Sequence, residues 1–335
     1  MPRSAPAAAS AAIRPDPAGP VPRQTAPQPD RADAHTVWRP SQAVDARLTV
    51  SLLAHHRGDP CHRELPDGAV WRTSRMATGP VTYRIEQPHR GEITAHAWGP
   101  GAAELVGGLP QLLGADDDPA DFEPGHPLLA AAHARFGGLR IPASGRILEA
   151  LIPAILEQKV IGLDAAAAWR RLVARYGDPA PGPAPAGMRV PPTAAQWAGI
   201  PVWEWHRAGV EIRRARVAQS CAREADRLDR AAAAGGRDLV YRMLRDITGV
   251  GPWTAAQVGH RALGDADALP IGDFHLAAMT GWALAGRRLD EDEVEAFYEP
   301  WRPHRFRVVR LLELTPGALP PRRAPRLARQ DFRRI

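Results

Sequence analysis

The chain has 335 residues, 44% of them hydrophobic and 24% charged, which is enough apolar material for one large domain or two ordinary ones with a real core. Its 43 basic and 37 acidic residues leave a formal charge of +6, which suits a polyanionic partner, and Lys159 is the sole lysine, so Schiff-base chemistry has one side-chain candidate. Two cysteines, Cys61 and Cys221, exclude a disulfide scaffold, a four-cysteine zinc site and a cysteine-held iron-sulfur cluster, and no apolar run reaches the roughly 18 residues of a membrane helix. A soluble cytoplasmic protein with no membrane association is the expectation.

Residues 1–35 carry eight prolines and no aromatic ring and are expected to be a disordered arm. Over residues 36–118, short alternating segments at 44–53, 69–76, 81–86 and 92–98 predict a small antiparallel sheet with one buried face, and a helix follows at 102–113. Residues 119–315 have helical periodicity: a helix at 128–136, a stronger one from a Ser144 cap to about Val160 with Pro153 as a kink, and another at 163–176 stopped by Gly177. Six prolines within residues 178–192 predict a loop, Thr193 begins a further helical stretch, and helices are expected over 211–234 and 238–247. Residues 316–335 form a basic tail. The predicted fold is mostly α, with a small antiparallel α+β domain in front of a larger all-helical one.

The informative segment is 244–276, LRDITGVGPWTAAQVGHRALGDADALPIGDFHL. A helix ends near Ile247, Gly249-Val250-Gly251 makes a tight turn, and Pro252 sits where the next helix begins without losing a needed amide hydrogen bond. Such a turn presents free amides at a helix start, an arrangement suited to a phosphate, although alone it is equally a plain helix-helix corner. Asp273 lies 20 residues past Trp253 and just before the apolar run 274–284; by itself it needs no role beyond capping that helix.

Taken together these elements resemble the helix-hairpin-helix (HhH-GPD) superfamily of base-excision DNA glycosylases, within it the 3-methyladenine DNA glycosylase II branch. The hairpin matches at Leu244, Ile247, Gly249, Val250, Gly251, Trp253, Thr254 and Ala255, and Asp273 falls on the family's catalytic aspartate. Upstream, Gly138-Leu139-Arg140-Ile141-Pro142 followed by Ile155-Leu156-Glu157-Gln158-Lys159-Val160 resembles the entry to the base-flipping helix. Downstream, Pro300-Trp301-Arg302-Pro303 resembles the branch's tryptophan element. The similarity covers roughly residues 44–314.

The resemblance implies a glycosylase that binds double-stranded DNA with damaged bases, associated with the nucleoid and acting as a monomer. It places Trp253 and Trp301 in the base pocket, Gln158 and Lys159 in the wedge that fills the gap left by a flipped nucleotide, and Gly249, Val250, Gly251 and Thr254 in the phosphate-binding hairpin. Bifunctional members carry their lysine at the position of Trp253, so the chain reads as monofunctional, with no lyase step. No cofactor is required; a structural Na+ or K+ is implied on the main-chain carbonyls of Arg245, Ile247 and Val250. Where the branch places a stacking tyrosine, four residues past Trp253, this chain has Gln257. Cleaving a base from C1′ builds positive charge on the sugar, and a carboxylate at about 4 Å in an effective dielectric of about 20 stabilises it by roughly 4 kcal/mol, about a thousandfold in rate. That suits an alkylated, already cationic purine such as 3-methyladenine or 7-methylguanine. The alternatives are a glycosylase for deaminated or oxidised bases and a non-catalytic DNA-damage binding module.

Among other clusters, His55, His56, Cys61 and His62 have the composition of a zinc site without a recognised spacing. Asp116, Asp117 and Asp118 read as a solvated turn, Asp265 and Asp267 as surface residues, and Cys221 as a buried thiol. The ten arginines of residues 301–335 suit DNA phosphates.

Overall fold

The computed structural model describes residues 32–321. Its amino-terminal part is an antiparallel sheet of β1 (Ala34–Trp38), β2 (His62–Glu64), β3 (Val70–Met76), β4 (Gly79–His89) and β5 (Glu92–Trp98), in the order β1-β5-β4-β3-β2. The helices α1 (Ala46–Val50), α2 (Ala102–Gly107) and α3 (Leu109–Leu112) contribute to the same core as Val70, Val81, Tyr83 and Ile85, whose alternation along β3 and β4 follows the two-residue period of a strand.

Three expectations change here. Ala34 and His35 belong to β1, paired with Ala97 and His96, so the arm cannot extend to residue 35; its first 31 residues lie outside the described chain. The segment 44–53 is helical rather than a strand. Asp45 caps α1 by accepting the Leu48 amide at 2.8 Å, and the buried residues Ala46, Thr49 and Val50 have helical spacing. The predicted loop 178–192 contains a two-residue ladder, β6 (Asp178–Pro179) with β7 (Arg189–Val190), held to the large sheet by the Thr73 hydroxyl donating to Arg189 O.

The rest is helical. α4 (Pro127–Arg135), α5 (Ile147–Glu157), α6 (Gly162–Tyr176), α7 (Ala194–Gly199), α8 (Val202–Ala208), α9 (Ile212–Ala233) and α10 (Arg237–Asp246) precede the hairpin. α11 (Pro252–Ala262), α12 (Leu276–Thr280), a π turn (Gly281–Ala285), α13 (Val294–Tyr298) and α14 (Arg305–Leu314) follow it. Two apolar cores organise them: one gathers α5, α6 and α9 to α11, the other α4 and α12 to α14. α5 is buried from Ala150 through Leu156 and is the central helix of the first. Ser144 does not cap it. Gly145 sits at φ +63, the Ser144 hydroxyl accepts the Arg146 amide at 3.3 Å, and the helix begins at Ile147 and ends at Glu157, short of Val160. Thr193 does cap α7, through a reciprocal pair of hydrogen bonds with Gln196.

Two carboxylates expected at the surface are interior. Asp117 is buried against Arg307, with side chains 3% and 1% exposed, and also accepts the Ile141 amide. Asp265 is buried and accepts the Tyr241 hydroxyl at 2.6 Å, while Asp267 is held by Arg302 and Arg305. Among the described residues no helix is long and apolar enough to cross a membrane.

Candidate functional site

The hairpin joins α10 to α11. α10 ends at Asp246, and the carbonyl of its cap residue Ile247 accepts the Val250 amide at 3.0 Å to close the turn. Gly249 has φ +95, and a Cβ placed there would lie 2.4 Å from Val217 Cγ2 on α9. Only glycine satisfies both the dihedral angle and the approach. Gly251 opens α11 with nothing within 4 Å of where a Cβ would stand, so an incoming group can reach its backbone, and Pro252 follows at the first helical position. Val250 turns inward and joins the first core.

The loop leaving α11 brings Asp273 back to the start of that helix. Trp253 Nε1 donates to Asp273 Oδ2 at 3.0 Å, and the His275 amide donates to Oδ1 at 2.9 Å. The residues around Trp253 belong to the first core (Val250, Ala255) and those around Asp273 to the second (Leu269, Leu276), so this hydrogen bond spans the seam between the two. Asp273 is half-buried. It is held by donors on both oxygens with no cation paired to it among the described ion pairs, which leaves a fixed carboxylate whose charge can act on something in the seam.

The other expected residues divide. Gln158, just past α5, is not a free wedge: its Nε2 donates to Gly249 O and to Thr254 Oγ1, each at 2.9 Å. Thr254 is buried, so its hydroxyl serves Gln158 rather than a phosphate. Lys159 is the part of that segment that stands exposed, with φ +54. Trp301 packs against Phe297 and Tyr298 at ring separations of 5.8 and 5.7 Å, and its indole donates to Pro124 O at 2.9 Å. These contacts fix the ring against the second core. Gln257 is buried and bonded to Arg261. Phe274 was not singled out from the sequence, yet it is 79% exposed immediately beside Asp273, and the only signal for it was its adjacency to that residue.

The four residues with zinc-ligand chemistry do not converge. His55 contacts the Glu149 carbonyl, His56 the Glu157 carboxylate and His62 Arg72 and Glu64, while Cys61 is buried. Burial, with the nearby carboxylates, pushes the Cys61 thiol well up, and burial pushes Cys221 up to about 12. Among the described residues no group of three or more His, Cys, Asp or Glu side chains is placed to hold a metal ion.

No protein-family model matches the chain. A 3-methyladenine DNA-glycosylase from Archaeoglobus fulgidus superposes with a TM-score of 0.68 at 19% identity, over 83% of this chain and 96% of that one. The chain has the helix-hairpin-helix DNA glycosylase fold. That glycosylase fold is shared by an 8-oxoguanine glycosylase/lyase of Clostridium acetobutylicum, solved with DNA, at a TM-score of 0.62 and 10% identity, covering 83% and 96% of the two chains. In sequence the chain is 31% identical over 195 residues to a probable bifunctional transcriptional activator/DNA repair enzyme AlkA of Mycobacterium tuberculosis, found in two strains. That match covers 58% of this glycosylase-fold chain and 37% of the relative, so the chain spans well under half of the curated relatives it matches.

Proposed function

We propose that the chain is a monofunctional DNA glycosylase that hydrolyses the N-glycosidic bond of alkylated purines, such as 3-methyladenine and 7-methylguanine, in duplex DNA, the first step of base-excision repair. The observation that carries the reading is the Trp253–Asp273 hydrogen bond at the mouth of the hairpin. An extruded nucleotide docked there sets its C1′ beside the carboxylate. As the base leaves with the bonding electron pair, positive charge grows on the sugar and Asp273 stabilises it; water then adds to C1′ and gives up a proton. An alkylated purine carries its own positive charge and departs as a neutral base, so this modest assistance suffices. The exposed ring of Phe274 and the face of Trp253 offer cation-π attraction to such a base.

The absence of a strand-cleaving step rests on Trp253, which occupies the hairpin position where the related lyases carry lysine. The choice of alkylated over deaminated or oxidised bases rests on the resemblance of the hairpin and tryptophan elements to the 3-methyladenine DNA glycosylase II branch. A Na+ or K+ fits the hairpin, where the Ile247 carbonyl uses one lone pair on the Val250 amide and keeps another. With Arg245 O and Val250 O it would hold the ion, which when bound adds positive charge for a DNA phosphate.

The test is base release. Asp273→Asn should abolish release of 7-methylguanine from methylated duplex in single-turnover assays while duplex affinity stays near wild type. Undiminished release would remove Asp273 from the mechanism. Borohydride should trap no protein–DNA adduct, and a trapped adduct would replace hydrolysis with lyase chemistry.

A further inference from the structure

The loop 55–62 of the amino-terminal part grips the helical part at several points. His55 Nε2 meets Glu149 O of α5 at 3.1 Å, and Arg170 of α6 donates to Arg57 O at 3.3 Å. The buried Asp59 ties the loop down, accepting the amides of His55 and Cys61 at 2.9 Å each and Trp169 Nε1 of α6 at 2.8 Å. At the loop's tip, His56 Nε2 pairs with Glu157 Oε1 at 3.0 Å, and its ring lies over Gly162, where a Cβ would come within 2.8 Å of Cε1.

Glu157 and Gly162 bracket the segment that carries Lys159. Among the described residues, His56 and Lys159 are the two non-glycine residues in the left-handed region, at φ +64 and +54. Side chains rarely adopt that conformation without surroundings that hold it. Here the two cases, 103 positions apart in sequence, belong to one joint. On its other side the same segment is fastened by Gln158 to the hairpin. We propose that His56 is a positioning residue for the segment Gln158–Lys159: through Glu157 and Gly162 the amino-terminal part holds the Lys159 backbone in the conformation that projects its side chain outward. This rests on the glycosylase reading for what the segment enters, the space vacated in duplex DNA by an extruded nucleotide.

Two properties separate this role from plain packing. A wedge matters only where a stacked, paired base must be displaced, so His56→Ala should slow release of 7-methylguanine from duplex DNA roughly tenfold and leave release from single-stranded DNA of the same sequence within roughly twofold. Glu157→Ala should lower the duplex rate in the same direction, and the double variant should be no worse than His56→Ala alone, because that substitution already removes the Glu157 contact. Thermal midpoints of all three variants accompany the assay. Equal losses on both substrates, no loss on either, or additive losses in the double variant would overturn the proposal. A second measurement needs no catalysis: 2-aminopurine beside an abasic-site analogue in duplex DNA should brighten on binding wild type and brighten less with His56→Ala. If wild type releases no methylated base from either substrate, the glycosylase reading fails. The fluorescence then judges the clasp alone, a difference supporting it and identical signals overturning it.

Discussion

Asp273 shows how one residue meets two demands. An aspartate ahead of a short helix relieves an unsatisfied amide, and Oδ1 does this for His275; the same bond fixes the carboxylate's plane and leaves Oδ2 to be set by the Trp253 indole. Hydrogen bonds of this charge-assisted kind contribute about 1.5–3 kcal/mol, and here part of that holds the charge in one place before any substrate arrives. Trp253→Phe keeps a ring and removes the donor. It should lower single-turnover base release by roughly tenfold to a hundredfold. Substrate affinity, measured on the same duplex, should change little, because the uncleaved base carries no sugar charge to be stabilised. An unchanged rate would mean that the carboxylate finds its place without the indole. The combined hairpin pattern and its resemblance to a known family made Asp273 and Trp253 legible in the sequence, but their bond was not, since it depends on a loop closing across two cores. The same is true of Gln158: a polar residue at the end of an apolar helix looks free until the hairpin comes to meet it.

At the level of elements, Gly249 couples the hairpin to α9. Gly249→Ala forces a side chain into positive φ and into Val217 together, and both costs fall on the turn that the glycosylase proposal sets against a DNA phosphate. Stability should drop by about 1–3 kcal/mol in denaturant titrations, with weaker duplex binding. Adding Val217→Ala should recover the part due to the clash and not the part due to the dihedral angle. Full recovery would show that the turn tolerates a side chain, and no recovery that Val217 is not what the glycine accommodates. The hairpin was legible because glycine, proline and apolar periodicity all mark it within a few residues. β1 was not: Val37 and His35 face solvent and their neighbours are only half-buried, so its register comes from pairing with β5 and not from its own pattern. The segment 44–53 misled because ten residues with mixed apolar spacing fit either period, and only the Asp45 cap decides for a helix. His55, His56, Cys61 and His62 showed only the composition of a zinc site, because ligand chemistry is visible in a sequence and partners about a hundred positions away, such as those of His55 and His56, are not.

Across the whole molecule, buried ionisable groups couple the fold to pH with opposing signs. Burial holds His55 and His260 well below the ordinary histidine range, with Arg261 adding to the effect on both. Burial and Arg72 bring His62 from its ordinary 6.5 down to about 4. A histidine depressed in this way contributes stability that is fully present above about pH 6.5 and is lost as the solution falls toward the folded-state value, because the unfolded chain takes up the proton first. Asp59 and Glu149 act the other way. Burial raises both, so the folded state takes up their protons early and gains relative stability as pH falls. The total acid response is therefore a difference, and a single histidine is best isolated by comparison with a variant. For His62→Gln, the stability gap to wild type should shift in the variant's favour between about pH 7 and about pH 4, through His62 itself and through Glu64, whose carboxyl His62 helps to hold below its usual range. Urea titrations at closely spaced pH values give that gap directly. A gap that stays constant through this window would show that His62 titrates alike in the folded and unfolded chain.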